Sequence, residues 1–149
     1  SGSRSKNWPE KYYARLIRML EKETGMDILL VEGPAEAGKA SRILELSASR
    51  ADVLRNPPLK YLFCLLRECR GYAGNDSGVS HLAALCGCRA AVLFGPTDPA
   101  QWRPLSENAA VIQWRRDNDN DAVARAVANA LISKRKKNNE AGNVTAIYH

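Results

Sequence analysis

Short apolar runs alternate with amphipathic helical segments along most of this chain, and this alternation limits the folds open to it more than any other feature. The apolar runs are only a few residues long and most are closed by glycine, which is typical of buried strands. Strands are predicted at 28–31, 52–54, 72–74, 90–94 and 110–112, and helices at 9–24, 35–48, 57–69, 78–86 and 120–134. Such alternation predicts an α/β fold with a doubly wound, mostly parallel, Rossmann-like sheet and helices on both faces.

Composition narrows the class of protein. The chain has 149 residues, of which 45% are hydrophobic and 26% charged, as expected for a single globular domain. No apolar run approaches the ~18 residues of a membrane span and no signal-peptide pattern opens the chain, so a cytoplasmic protein is expected. The four cysteines are spaced C-x4-C and C-x-C, unlike a zinc ribbon, and are expected to be reduced thiols, mostly in the core.

The net charge of +6 favours an anionic ligand. A basic run at 134–137 contributes part of it and is typical of a solvated helix end. A nucleic-acid partner and an anionic lipid surface are the alternatives. No aromatic-rich basic face accompanies the run, so nucleic acid is not the expected partner.

One candidate stretch, at 33–39, follows a predicted strand and matches the G-x-x-x-x-G-K spacing of a phosphate loop. Ala40 stands where the magnesium-binding hydroxyl belongs, and Glu36 would place negative charge beside phosphates, so nucleotide hydrolysis is not predicted. Two interpretations remain: a simple strand-to-helix turn, or a nucleotide site in which Glu36 accepts hydrogen bonds from ribose hydroxyls.

The second candidate stretch, at 74–81, joins a strand to a helix. Asp76 and Ser77 are natural N-cap residues, and capping is the simplest account of them. Gly78 also permits close approach to the free amides of a helix start, which bind anions such as a diphosphate. Asp76 could then accept hydrogen bonds from sugar hydroxyls, with His81 one turn further on. A third stretch, at 94–104, is a stiff loop that Trp102 could pack beneath, and alone it would be only a structural turn.

Taken in order, these motifs resemble the C-terminal domain of family 9 glycosyltransferases, the heptosyltransferases of the bacterial lipopolysaccharide inner core. The resemblance extends from Ser1 to about residue 112. The motifs are Lys6-x-Trp8-Pro9, Gly33-x-x-Glu36, Gly74-Asn75-Asp76-Ser77-Gly78-x-x-His81-Leu82-Ala83 and Phe94-Gly95-Pro96-Thr97-x-Pro99-x-x-Trp102.

The resemblance implies half of a GT-B enzyme, in which this domain binds a nucleotide-sugar donor such as ADP-heptose. An N-terminal domain, a partner absent from this chain, would bind the glycolipid acceptor at the inner membrane. Transfer would be inverting, with no cofactor and no required metal. The general base would be a carboxylate of the N-terminal domain, so no catalytic residue is expected here and the chain alone should be inactive. The alternatives are a nucleotide-binding module without transfer activity and a basic nucleic-acid-binding domain.

The same resemblance implies a set of donor-binding residues. On the phosphate side, Lys6 would neutralise the diphosphate, Ser1 and Ser3 would belong to a phosphate-binding loop, and the amides of Ser77 and Gly78 would contact the phosphates. A cation and a helix start are the groups that stabilise a developing negative charge.

For the two sugars of the donor, the resemblance implies that Glu36 holds the ribose and that Asp76 binds hydroxyls of the transferred sugar. It also implies that His81 lies beside the phosphates. Together the implied donor site comprises Ser1, Ser3, Lys6, Glu36, Asp76, Ser77, Gly78 and His81.

The two ends of the chain carry an unusual feature. In the family, a central strand precedes the Ser-rich loop, whereas this chain opens inside that loop at Ser1. Residues 144–148 are β-branched and aromatic and follow a polar segment at 136–143. A frayed tail is one interpretation. The preferred one is a circular permutation of a single domain (1–149), with a main body at 1–135, a linker at 136–143 and residues 144–148 as the central strand, which would place His149 close to Ser1.

Overall fold

The structure is a computed structural model that describes residues 7–117, 119–132 and 143–148. The helices are α1 (Glu10–Thr24), α2 (Lys39–Ser47), α3 (Leu59–Glu68), α4 (Gly78–Leu85), α5 (Pro99–Trp102) and α6 (Asn120–Ile132). The strands are β1 (Asp27–Glu32), β2 (Asp52–Arg55), β3 (Gly71–Asn75), β4 (Ala90–Phe94), β5 (Ala109–Gln113) and β6 (Val144–Tyr148).

The six strands form one sheet in the order β2-β1-β6-β3-β4-β5, and every neighbouring pair is parallel. The predicted parallel α/β sheet is thereby confirmed. Strand β6 lies between β1 and β3, with Leu30 and Ala73 on either side of Ile147, which is the position predicted for residues 144–148. The predicted approach of His149 to Ser1 and nearly all of the predicted linker lie outside the described residues.

Helices cover both faces of the sheet, as a parallel sheet requires. Helices α1, α2 and α6 pack on one face, where Leu16, Ile17 and Val127 are buried against Leu30 and Ile147. Helices α3 and α4 pack on the other face, and the largest buried side chains there include Leu66, Tyr72 and Phe94. The central strand contributes alternate residues to the two cores, Ile147 to the first and Ala146 to the second.

Helix α2 begins at Lys39, and the predicted start at residue 35 is wrong. Residues Pro34–Glu36 form a separate 3₁₀ turn. Gly38 then adopts φ +85°, a left-handed conformation that interrupts the chain before the helix. Glu36 therefore lies in the short connection between β1 and α2, and it is not part of the helix.

The loop after β4 also differs from its prediction. Asp98 accepts a hydrogen bond from the Ala100 amide and so caps the short helix α5. Trp102 in that helix is 58% exposed and does not pack beneath the loop. Trp114 takes that place: a Cβ on Gly95 would lie 3.0 Å from its ring.

The cysteines are free thiols, of which Cys69 and Cys88 are buried. Cys64 is exposed and Cys86 half-buried, so the core placement predicted for most of them holds for only two. Across the described ranges, no helix combines the length and the apolar character needed to span a membrane.

Candidate functional site

A cavity of about 640 Å³ lies where β1, β6 and β3 reach their carboxyl ends. This is the edge at which parallel α/β sheets bind ligands. Four of the predicted site residues meet at this cavity, namely Glu36, Ser77, Gly78 and His81. The other lining residues are Pro34, Ala35, Leu59, Val79, Leu82, Leu85 and Tyr148. The cavity therefore combines a buried carboxylate and a helix start with a largely apolar wall.

The first turn of α4 is open toward a ligand. Ser77 occupies the N-cap position, but its side chain makes no capping hydrogen bond. Helix capping therefore does not explain the serine at this position. The first N–H groups of a helix have no partner within the helix. Gly78 is exposed, and a Cβ added to it would meet no atom within 4 Å. The protein itself therefore leaves the space beside Gly78 open.

Buried hydrogen bonds hold the start of α4 in place. The Ser80 hydroxyl donates to the carbonyl oxygen of Asn75 at 2.5 Å and lies 3.0 Å from the Tyr72 hydroxyl. Burial raises the pKa of Tyr72 well above its usual value, so its phenol is neutral over the physiological range. The helix start is thus anchored to β3 by neutral groups, and the local positive potential of the helix N-terminus remains available.

Asp76 lies between this cavity and the loop after β4. Its Oδ2 accepts a hydrogen bond from Thr97 Oγ1 at 2.9 Å, and its amide donates to the Leu93 carbonyl at 3.0 Å. The half-buried Asp76 is not among the residues that line the cavity around Glu36. The structure therefore puts Asp76 on the β4 side of the site, joined to the F-G-P-T motif by Thr97.

Asn75 has a structural role that the sequence did not reveal. Its Oδ1 accepts a hydrogen bond from the Trp8 amide at 2.9 Å, and Trp8 Nε1 donates to Asn120 Oδ1, also at 2.9 Å. These bonds fix the beginning of the described chain against the carboxyl end of β3. Lys6, Ser1 and Ser3 lie outside the described residues, so their predicted roles remain predictions. The signal for Asn75 was its place inside the 74–81 motif, next to Asp76.

The phosphate-loop spacing at 33–39 does not form a phosphate site at α2. The Ala40 amide at the start of α2 donates to Glu32 Oε1 at 3.3 Å. Glu32 is 3% exposed, and its Oε2 lies 3.2 Å from Arg55 Nε. A carboxylate of the protein therefore takes the position in which a nucleotide phosphate would sit. Glu36, in contrast, faces the cavity at the other side of this connection.

Tyr148 is the clearest site residue that sequence reasoning missed. The sequence assigned it only to a strand, but it ends the central strand and lines the same cavity as Ser77 and His81. In the part of the chain that the structure describes, no group of three or more His, Cys, Asp or Glu side chains is placed to hold a metal ion.

The chain is similar to known proteins in both sequence and structure. The model of glycosyltransferase family 9 (heptosyltransferase) matches residues 1–131. Lipopolysaccharide heptosyltransferase 2 of Salmonella typhimurium is 31% identical over 114 residues, which are 73% of this chain and 32% of that protein. Lipopolysaccharide heptosyltransferase 1 of Escherichia coli is 30% identical over 129 residues, 86% of this chain and 40% of that protein.

Solved structures give the same relationship. The E. coli heptosyltransferase WaaC with ADP superposes with a TM-score of 0.77 at 27% identity, covering 87% of this chain and 42% of that one. WaaC with ADP-2-deoxy-2-fluoro heptose gives a TM-score of 0.65 at 29% identity, covering 88% and 38%. The chain spans roughly a third to two fifths of the length of these curated relatives.

Proposed function

Because the chain belongs to glycosyltransferase family 9, we propose that it binds the nucleotide-sugar donor of an inverting heptosyltransferase of lipopolysaccharide core synthesis. The observation that carries the proposal is the meeting of Glu36 and the uncapped start of α4 at one cavity. The relatives solved with ADP and with ADP-2-deoxy-2-fluoro heptose support an adenine nucleotide as the donor carrier.

The cavity offers a suitable group to each part of such a donor. The Glu36 carboxylate accepts hydrogen bonds only, which suits the hydroxyls of a ribose. The N–H groups at the start of α4 suit a diphosphate. The side chains of Leu59, Val79 and Leu82 provide an apolar wall on which a base can pack.

Cleavage of the bond between the anomeric carbon and the β-phosphate oxygen leaves the bonding electrons on that oxygen, which adds one negative charge to the departing nucleoside diphosphate. In our proposal, Lys6 and the start of α4 stabilise that charge without a metal ion, since fixed dipoles and cations act most strongly where charge develops. Asp76 binds hydroxyls of the transferred sugar, and His81 lies beside the phosphates. The general base belongs to a partner domain that binds the glycolipid acceptor, so this chain alone binds donor but does not turn it over.

A thermal-shift screen of ADP, ADP-heptose, UDP-sugars and adenosine tests the proposal, with and without EDTA. We expect ADP-heptose to stabilise the chain more than ADP does, and each ligand to give the same shift with and without EDTA. A ligand at 100 times its Kd adds about 2.7 kcal/mol to the stability of the fold. Equal affinity for ADP and ADP-heptose would identify a nucleotide-binding module that ignores the sugar. No shift with any nucleotide would overturn the proposal.

Replacing Asp76 by alanine is expected to weaken ADP-heptose binding more than ADP binding, because its proposed partners are hydroxyls of the transferred sugar. Hydrogen bonds to a charged group are worth about 1.5–3 kcal/mol, so the difference should be roughly tenfold or more. Calorimetric titration of both ligands measures it. The exposed Asp98 on the neighbouring loop is the matched control. Equal losses for the two ligands would contradict the role given to Asp76.

Replacing Lys6 by alanine is expected to weaken the binding of ADP but not of adenosine, since the ammonium group is proposed to face the phosphates. Lys11 is an exposed lysine of α1 and serves as the control for loss of one positive charge. Competition assays with both ligands give the comparison. If adenosine binding falls as much as ADP binding, Lys6 does not contact the phosphates.

A further inference from the structure

Tyr148 stands at the carboxyl end of the central strand and lines the same cavity as Glu36. It pairs with Val31 on β1 and with Gly74 on β3. The central position of β6 therefore places Tyr148 at the cavity. None of the sequence motifs predicted this residue as part of the site.

Gly33 shows how closely the Tyr148 hydroxyl and the Glu36 carboxylate approach each other. A Cβ on Gly33 would lie 2.3 Å from Tyr148 Oη and 2.8 Å from Glu36 Oε2. Both oxygen atoms therefore lie close to the position that a Cβ atom of residue 33 would occupy. A glycine is needed here because the phenol and the carboxylate already fill the space above its Cα.

The two oxygen atoms have complementary hydrogen-bonding properties. Burial raises the pKa of Tyr148, and the neighbouring Glu36 carboxylate raises it further, so the phenol keeps its proton at neutral pH. A protonated phenol donates a hydrogen bond, whereas an ionised carboxylate only accepts. A ligand hydroxyl between them could therefore donate to Glu36 and accept from Tyr148 at the same time.

We infer that Tyr148 completes the ribose site proposed for Glu36, by donating a hydrogen bond to a ribose hydroxyl of the donor nucleotide. The inference rests on the proposed function, because it assumes that a nucleotide enters this cavity. Glu36 accepts the hydroxyl protons of the ribose, and Tyr148 donates to one of the same hydroxyl oxygens. A hydroxyl held on both its donor and its acceptor side is oriented more strictly than one held by the carboxylate alone.

The variant Tyr148→Phe tests this pairing, because it removes the hydroxyl and keeps the ring. Titration with ADP, 2′-deoxy-ADP and 3′-deoxy-ADP separates a ribose contact from a general loss of structure. We expect Tyr148→Phe to weaken ADP binding about 3- to 10-fold, the size of one neutral hydrogen bond. Binding of the deoxynucleotide that lacks the contacted hydroxyl should be unchanged. Tyr61→Phe, at an exposed tyrosine of α3, is the matched control and should leave all three affinities unaltered.

The variant Glu36→Gln separates this inference from the proposed function. If Glu36→Gln weakens ADP binding while Tyr148→Phe binds ADP as the unmodified chain does, the pairing is overturned and the nucleotide site stands. A loss of equal size for all three nucleotides in Tyr148→Phe would show that the hydroxyl acts only in packing, which also overturns the pairing. If the unmodified chain binds none of the three nucleotides, the proposed function fails and the inference fails with it.

Discussion

Replacing Ile147 by alanine should lower the free energy of unfolding by about 2–5 kcal/mol, the usual cost of such a truncation in a packed core. Ile147 is fully buried in the central strand, between Leu30 on β1 and Ala73 on β3. Its side chain belongs to the core that α1, α2 and α6 cover. A cavity at this point removes contacts from both halves of the sheet, so little relaxation is available to fill it.

Urea unfolding of the full chain, followed by circular dichroism, measures this change. Ile112→Ala is the matched control. It removes the same atoms from an isoleucine, but Ile112 is only half-buried and lies in the edge strand β5. The control should cost clearly less than Ile147→Ala. Small and equal costs for the two variants would mean that residues 144–148 do not occupy the centre of the sheet in solution.

The positions of the strands in the sequence could be predicted largely from their hydrophobic patterns. Runs such as 90–94 are apolar at every position, which suits a strand buried on both sides, and all five residues of β4 are indeed buried. The stretch at 144–148 gave a different signal, β-branched and aromatic residues, although it follows a polar segment. Its place at the centre of the sheet was predicted from the family resemblance, in which a central strand precedes the Ser-rich loop.

Features that depend on a single backbone conformation or on a distant contact could not be predicted in this way. Helical periodicity extends from residue 35, but the left-handed conformation of Gly38 delays α2 to Lys39. Two tryptophans were equally able to pack under the loop after β4. Only the tertiary structure decides that Trp114 does so and that Trp102 is exposed.

The candidate site shows the same division. The rule that ligands bind at the carboxyl ends of parallel strands brought Glu36, Gly78 and His81 to one cavity, and they do meet there. Tyr148 ends the predicted central strand, but its approach to Glu36 also depends on the Pro34–Glu36 turn, which the sequence pattern did not predict. The hydrogen bond from the start of α2 to the Glu32 carboxylate could not be predicted either. Motif spacing does not show which protein groups bind the free amides of a helix.

Replacing Gly78 by aspartate should stabilise the fold and at the same time abolish most nucleotide binding. An acidic residue in the first turn of a helix adds about 0.3–1 kcal/mol through the helix dipole, and α4 has none. The new side chain meets no protein atom within 4 Å at its Cβ, so packing should not oppose it. It would, however, fill the proposed diphosphate position with a like charge.

Loss of charge-assisted hydrogen bonds to a diphosphate, together with repulsion, should weaken ADP binding about 100-fold. Thermal unfolding and calorimetric titration with ADP measure the two effects on the same sample. Ser41→Asp is the matched control, because it adds the same charge to the first turn of α2, which also lacks an acidic residue, and Ser41 does not line the cavity. The control should bind ADP normally, and its gain in stability should be smaller, because the Glu32 carboxylate already accepts a hydrogen bond at the start of α2. A Gly78→Asp variant that binds ADP as well as the control does would place the diphosphate elsewhere, since a carboxylate and a phosphate cannot share the start of one helix.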